Sequence, residues 1–324
     1  MERSATVKTL GDYNGQVLCG FYEETLESGF PKTQLFGLDI DCVVPNTLLY
    51  DEDGNVWLLY RFTDYKASFG LNISTNAPGH KLSAPHPQAA KAFGGLIRHR
   101  IEGDAHIIEP LGPAANGFYY KRTVKGIEWR EGDWLSLTGE RMCAAKSWFE
   151  FDAQGGWGFS SFVSRVSGTL FGRKVNGFSE FATQYMPHGE SLIAHYRDKV
   201  ASWMIMCNEY DNGEYDFCHL GVLASGGRFG MIADEKGPIT ASTNVQFEAY
   251  VDGDGFPEKL IYTVDGEPWI WKPTANSDVG MLEHPTSRDR IGVAQRQGDT
   301  RQPRYTYAWV NFYNDDRLKP YIKA

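Results

Sequence analysis

The sequence predicts an all-β protein, built as two antiparallel β-rich halves with few short helices. Three observations predict it. Nine Trp, 17 Tyr and 19 Phe make up 14% of the chain beside 35 Gly, the pairing expected of twisted strands joined by tight turns. Acidic, glycine-containing turns recur between runs of strand-forming residues. Helical periodicity is scarce: the best candidate, Pro87-Gln-Ala-Ala-Lys-Ala-Phe93, is too short to organise a layer of helices over a parallel sheet.

The elements follow in chain order. Strand-like stretches run from about Phe36 to Phe62, broken by Asp51-Glu-Asp-Gly-Asn55, which sits between Thr47-Leu-Leu-Tyr50 and Val56-Trp-Leu-Leu-Tyr-Arg-Phe62 as a hairpin turn. Residues 75–113, rich in Pro, Gly and His, carry a weak strand signal and read as a long excursion over one end of the first half. Strands are then expected over Phe118–Arg122, Arg141–Phe151, Trp157–Val166 and Lys174–Tyr185. Met186-Pro-His-Gly-Glu190 breaks the pattern, which places a domain boundary near Gly189, with units 1–189 and 190–324. In the second unit Asp211-Asn-Gly-Glu214 separates Trp203-Met-Ile-Met-Cys207 from Tyr215-Asp-Phe-Cys-His-Leu220, and Asp252-Gly-Asp-Gly255 separates Val245–Val251 from Lys259–Val264. Three hairpins make a meander.

Charge and motifs narrow the function. With 324 residues, 42% hydrophobic and 23% charged, the chain can bury a large core. Its 32 Lys plus Arg against 41 Asp plus Glu give a net charge of −9, which speaks against broad nucleic-acid binding, since phosphates call for a basic stripe. No apolar run approaches a membrane span and no apolar stretch follows the first charges, so a cytoplasmic protein without a membrane span is expected. Cys19, Cys42, Cys143, Cys207 and Cys218 lie far apart and read as buried thiols rather than a disulfide framework or a zinc site. Neither GxGxxG nor GxxxxGK[ST] occurs, and Gly155-Gly-Trp-Gly158 and Gly226-Gly-Arg-Phe-Gly230 have the wrong spacing, so no nucleotide cofactor is expected. Without HxH or HExxH no metal is expected either. The acidic turns lack the later ligands of a calcium loop, and no GxSxG elbow supports a nucleophilic serine.

The hairpin Val43-Val-Pro-Asn-Thr-Leu-Leu-Tyr-Asp-Glu-Asp-Gly-Asn-Val-Trp-Leu-Leu-Tyr-Arg-Phe62, the later Lys174-Val-Asn-Gly-Phe-Ser-Glu-Phe181, and a second β-rich half with its own Trp203 hairpin together resemble the two-domain lipocalin-like family of carotenoid 1,2-hydratases and AttH-type proteins. The resemblance is one of pattern and order over most of the chain. Where that family carries a Trp-containing acidic segment, this chain reads Asp39-Ile-Asp-Cys-Val43, and no catalytic residue is carried over. The resemblance implies two calyx-like barrels packed together, an apolar pocket for a terpenoid, polyketide, steroid or aromatic ligand, and cofactor-free hydration or cyclisation chemistry.

Candidate residues come from strand parity, because successive side chains face opposite sides. Arg304–Tyr313 splits into Tyr305, Tyr307, Trp309, Asn311 and Tyr313 against Thr306, Ala308, Val310 and Phe312. The aromatic face with polar tips suits either a ligand-gripping wall or a packing face between the halves. Ala144–Asp152 places Lys146, Trp148, Glu150 and Asp152 on one side. A carboxyl beside Trp is desolvated and suits Glu150 to general-acid work, the alternative being a solvated face with a Lys146–Glu150 pairing. Glu180, flanked by aromatics, is a second carboxyl of this kind. Among the histidines, His188 on the presumed rim loop, His195 and His219 are acid–base candidates. The expected catalytic set is His188, Glu150, Tyr185 and Asp41, with Trp148, Glu180, Tyr305, Tyr307 and Trp309 contacting substrate.

These residues suggest a cofactor-independent lyase (hydratase or dehydratase) or isomerase acting on a small hydrophobic or aromatic molecule. A non-catalytic carrier of an apolar ligand is the alternative. A carbohydrate-active protein using paired carboxylates from Asp39, Asp41, Glu150 and Glu180 is a more remote one. A homo-oligomer is compatible with each.

Overall fold

A computed structural model describes residues 10–22, 34–64, 68–88, 95–111, 117–153, 155–191, 196, 198–280 and 286–323. The first fourteen strands are β1 (Leu10–Tyr13), β2 (Val17–Tyr22), β3 (Gln34–Leu35), β4 (Leu38–Asp51), β5 (Val56–Thr63), β6 (Ser68–Thr75), β7 (Ile97–Glu102), β8 (Ala105–Pro110), β9 (Tyr119–Thr123), β10 (Gly126–Glu131), β11 (Leu135–Arg141), β12 (Ala145–Glu150), β13 (Trp157–Leu170) and β14 (Arg173–Met186). They form one antiparallel sheet in the order β6-β5-β4-β14-β13-β11-β10-β9-β8-β7. The long β13 serves two neighbours, pairing with β11 through its second half and with β12 through its first, and β12 leads on to β2 and β1.

The remaining strands are β15 (Val200–Glu209), β16 (Tyr215–Leu223), β17 (Arg228–Asp234), β18 (Gly237–Ser242), β19 (Val245–Val251), β20 (Pro257–Val264), β21 (Glu267–Asp278), β22 (Arg290–Arg296) and β23 (Tyr305–Phe312). They make a second, nearly closed sheet in the order β18-β17-β16-β15-β23-β22-β21-β20-β19. The chain is thus all-β, with two lipocalin-like antiparallel sheets packed together. It passes from one to the other between Met186 and Val200. Among the described residues no helix is long and apolar enough to cross a membrane.

The three sequence-predicted hairpins are present and share one turn. In each, the backbone N–H of the residue opening the turn donates to the carbonyl four residues on: Asp51 to Asn55, Tyr210 to Glu214, and Asp252 to Phe256. The fourth turn residue is Gly54, Gly213 or Gly255 at φ of 79°, 82° and 82°, a left-handed conformation open to glycine without Cβ strain. The segment 75–113, expected as an excursion with weak strand signal, contains the β7–β8 hairpin, which extends the first sheet from β9. Most of the helical candidate, residues 89–93, lies outside the described residues.

Strand alternation sorts the apolar side chains into layers. On β23, Ala308, Val310 and Phe312 fill the second sheet's interior while Tyr307 and Trp309, with Tyr313 just beyond the strand, face the first sheet. On β14, Val175 and Phe181 enter the first sheet's interior, whereas Phe178, Ala182 and Met186 face the second. Burying each such large side chain contributes about 1.5–3 kcal/mol. At the flank β1 and β2 pack against β17 and β18, where Asp12 Oδ2 accepts from the Thr243 amide (2.7 Å) and hydroxyl (2.6 Å). The layer between the sheets contains the cavity described next.

Candidate functional site

β4 and β14 run side by side with Asn46 opposite Glu180 and Val44 opposite Ala182. Parity turns these four, and Gln184, toward the second sheet. From β5, Tyr60 and Phe62 join them, and from β13, Phe159. The facing wall is Trp203 of β15 with Trp309 and Asn311 of β23, and Tyr196 of the connecting segment completes it. Together they enclose about 100 Å³. Cavities of about 150 Å³ hold benzene, so this space takes a group of a few heavy atoms.

Glu180 is the charged group on the wall. It is buried and accepts from Lys146 Nζ (3.0 Å) and Ser161 Oγ (2.7 Å) through one oxygen and from Asn46 Nδ2 (3.1 Å) through the other. Lys146 is itself fully buried and stands over the Phe217 ring. Asn46 Oδ1 in turn accepts the Tyr307 hydroxyl. Burial, with the nearby Glu180 charge, pushes the Tyr307 phenol well above its ordinary pKa and keeps it a donor.

The opposite wall holds a second polar chain. Tyr196 donates to Asn311 Oδ1 (3.1 Å), and Asn311 Nδ2 donates to Asp289 Oδ2 (2.7 Å). Asp289 also accepts from the Phe312 amide (3.2 Å) and Ser287 Oγ (3.0 Å). Burial nonetheless raises its carboxyl to about 6, because hydrogen bonds only partly replace lost hydration. The Tyr196 phenol is pushed well above its usual value by burial first, then by Tyr313, Asp289 and Glu180. Gln184 Oε1 accepts the Cys42 thiol at 2.8 Å.

Of the residues expected from sequence, Glu180 and Trp309 stand on the cavity wall. Tyr307 reaches it through Asn46, and Trp148 lies behind it, stacked between Phe159 (4.9 Å, 26°) and Phe229 (4.5 Å, 19°). The expected catalytic set does not line it. His188 is 95% exposed and bonds Asp39 at 2.7 Å on the outer surface. Asp41 opens onto a separate cleft of about 310 Å³ with Asp39, Asp64 and Glu190. Tyr185 has the opposite parity to Glu180 and packs on Phe149 at 5.8 Å.

Glu150 is buried away from the cavity, accepting from Trp157 Nε1 (2.8 Å), Gln16 Nε2 (3.0 Å) and Ser225 Oγ, and so ties β12 to the β16–β17 turn. Trp157 meets this carboxylate with its N–H rather than with its ring face. The Lys146–Glu150 pairing gives way to Lys146–Glu180, because the β12 face is enclosed between the sheets rather than solvated. Tyr305 packs on Tyr50 at 5.4 Å beside a surface groove with Arg165 and Glu209. His219 is buried behind Trp203 (5.1 Å, 90°), its ring nitrogens without hydrogen-bond partners among the described residues. Burial, then Lys146, pushes its pKa well below 6.5, so it stays neutral. His195 lies outside the described residues.

Sequence reasoning missed Asn46, Gln184, Tyr196 and Asp289. For the first two a signal existed: polar residues alternating with apolar ones on strands buried on both faces. Asp289 in Ser287-Arg-Asp-Arg290 reads as an exposed turn, and nothing local marks it. Among the described residues no group of three or more His, Cys, Asp or Glu is placed to hold a metal ion.

No family model matches the sequence, and no curated protein matches it. Among solved structures the chain is similar to an AttH-type protein of Nitrosomonas europaea, with 12% identity, a TM-score of 0.48, and 85% of this chain and 92% of the other covered. It is also similar to kievitone hydratase from Nectria haematococca, with 9% identity, a TM-score of 0.45, and 89% and 93% covered.

Proposed function

We propose that the cavity between the sheets is a ligand site and that the chain performs cofactor-independent acid–base chemistry there, as a lyase of hydratase or dehydratase type or as an isomerase, on a small hydrophobic or aromatic molecule. One observation carries the reading: a buried carboxylate, Glu180, and a half-buried phenol, Tyr196, line the same aromatic-walled cavity without a hydrogen bond between them. A carboxylate offers about four acceptor positions, and Lys146, Ser161 and Asn46 fill three. The fourth is open to a bound water or hydroxyl, from which Glu180 takes a proton. Tyr196, whose phenol is held neutral at ordinary pH, donates a hydrogen bond to the reacting oxygen when its O–H turns from Asn311, and the proton that Glu180 has taken passes on to the substrate, which restores the carboxylate. The surrounding rings exclude bulk water, which strengthens both interactions.

The test begins with native mass spectrometry of the purified protein and identification of any bound compound, followed by incubation of that compound with fresh protein. Conversion to a product of altered mass or retention is expected. Tyr196→Phe should then lower kcat by about 100-fold with KM nearly unchanged, the scale of a lost transition-state hydrogen bond. A second reading, a non-catalytic carrier, is favoured by the near-complete hydrogen bonding of Glu180, which suits a structural ion pair. It predicts that the compound returns unchanged and that Tyr196→Phe leaves affinity within about twofold.

A further inference from the structure

Three buried carboxamides line the cavity: Asn46 on β4, Gln184 on β14 and Asn311 on β23. Each has its oxygen already engaged by a neighbour. The Tyr307 hydroxyl donates to Asn46 Oδ1, the Tyr196 hydroxyl to Asn311 Oδ1 and the Cys42 thiol to Gln184 Oε1. Neither Asn can be turned over, because that would set its oxygen against a carboxylate. Asn46 Nδ2 donates to Glu180 at 3.1 Å and Asn311 Nδ2 to Asp289 at 2.7 Å.

What these bonds leave over is N–H. One N–H remains on Asn46, one on Asn311 and both on Gln184, with no partner for them among the described residues. The indole N–H of Trp203, another residue of the lining, is also buried and unmet among the described residues. An amide oxygen that accepts one hydrogen bond loses little by lacking a second, whereas a buried N–H without an acceptor is costly. Against these donors stand one open position on Glu180 and the oxygen of Tyr196. The lining is therefore short of acceptors, and an occupant has to bring them.

The charge of that occupant follows from the same bonds. The nitrogens of Asn46 and Asn311 each donate to a carboxylate already. An anion on the remaining N–H of either would share its nitrogen with that carboxylate in a space walled by apolar rings, where like charges repel strongly. A carbonyl oxygen brings two lone pairs and no charge, while an ammonium brings donors only.

We propose that this cavity recognises a neutral carbonyl group, as in a ketone, ester or amide, on an otherwise apolar molecule, with the free N–H groups of Gln184, Asn46 and Asn311 as its donors. This names the ligand class for the site and rests on the cavity being the ligand site.

Calorimetric titration near neutral pH with cyclopentanone and with its hydrocarbon isostere methylenecyclopentane tests it. Gln184→Met, which keeps the length of the side chain and removes the amide, should weaken cyclopentanone about fivefold, the scale of one lost hydrogen bond. It should leave methylenecyclopentane within about twofold. Each ligand is compared with itself, so its own cost of leaving water cancels. Infrared difference spectra of the bound ketone need no variant and should show its C=O stretch below the frequency in hexane. Cyclopentanecarboxylate should compete at least about tenfold less well than the ketone. Ala182→Leu, which fills the cavity, should abolish binding of both neutral compounds. A C=O stretch at its hexane frequency overturns the carbonyl assignment and leaves the proposed site standing. A lowered stretch with equal losses of both ligands in Gln184→Met overturns the role of Gln184, and equal competition by the carboxylate overturns the preference for a neutral group. Binding of neither neutral compound, or binding that survives Ala182→Leu, overturns the assignment and the proposed site together.

Discussion

Two buried ion pairs on the first sheet invite comparison. Arg61 meets Glu131 through two 2.6 Å hydrogen bonds, with Trp129 Nε1 adding a third at 3.0 Å and Phe118 covering the guanidinium at 4.9 Å. Both side chains are fully buried among the apolar residues of the sheet's interior. Lys146 and Glu180 are as deeply buried, yet Glu180 borders a cavity. A planar guanidinium engages both oxygens of its carboxylate, whereas an ammonium is a point charge that engages one. The first pair is sealed inside the sheet; the second borders a cavity. Two pairs alike in charge and burial therefore differ in what they can do.

The sharpest way to break the comparison is to remove one partner of the sealed pair. Glu131→Gln should destabilise the protein by about 3–5 kcal/mol, because buried Arg61 loses the carboxylate that balances its charge, as read by chemical denaturation. Burial alone pushes Glu131 above its ordinary pKa even with Arg61 attached, a sign of how unfavourable its surroundings are for unpaired charge. Lys146→Met should cost less, about 1–3 kcal/mol, because Ser161 and Asn46 still serve Glu180 and the cavity can admit water. It should also change ligand affinity, which Glu131→Gln should not do in whatever fraction stays folded. Equal losses from the two substitutions in parallel denaturation curves would remove the distinction.

Asp289 sharpens it through pH. Its folded pKa of about 6 lies above the ordinary 3.8, so the folded state holds this proton more tightly than the unfolded one. Its contribution is then most favourable below about 4 and is lost as the pH rises through about 6. The difference in unfolding free energy between the wild type and Asp289→Asn should therefore shift toward the wild type when the pH falls from about 7 to about 5. A flat difference would mean that Asp289 is not desolvated. The smallest effect is expected at His188: its pair with Asp39 is on the surface, and His188→Ala should change stability by less than about 0.5 kcal/mol in the same denaturation curves.

Much of the fold was legible. The three hairpins were readable because an Asp at or next to the start and a Gly near the end of each turn report a local backbone requirement. The split of Arg304–Tyr313 into two faces was readable because alternation is a property of any strand. Which faces meet was not readable. The β23 rings were compatible with a pocket wall or a packing face, and the structure makes the same face serve as both: Tyr307 bonds Asn46 across the sheets while Trp309 lines the cavity.

The candidate site shows the same division more plainly. By itself, the sequence determined an all-β chain, its main turns, and the sidedness of Trp309 and Asn311, since each depends on residues within a few positions. Tertiary structure alone decided that Lys146 pairs with Glu180 rather than Glu150, that Glu150 ties the two sheets together, and that Asp289 stands behind Asn311 and Tyr196. Those pairings depend on long-range register and on which water is excluded when two sheets close on each other. A carboxylate's role follows from the hydration it loses and the partners it gains, and both are set only when distant strands come together.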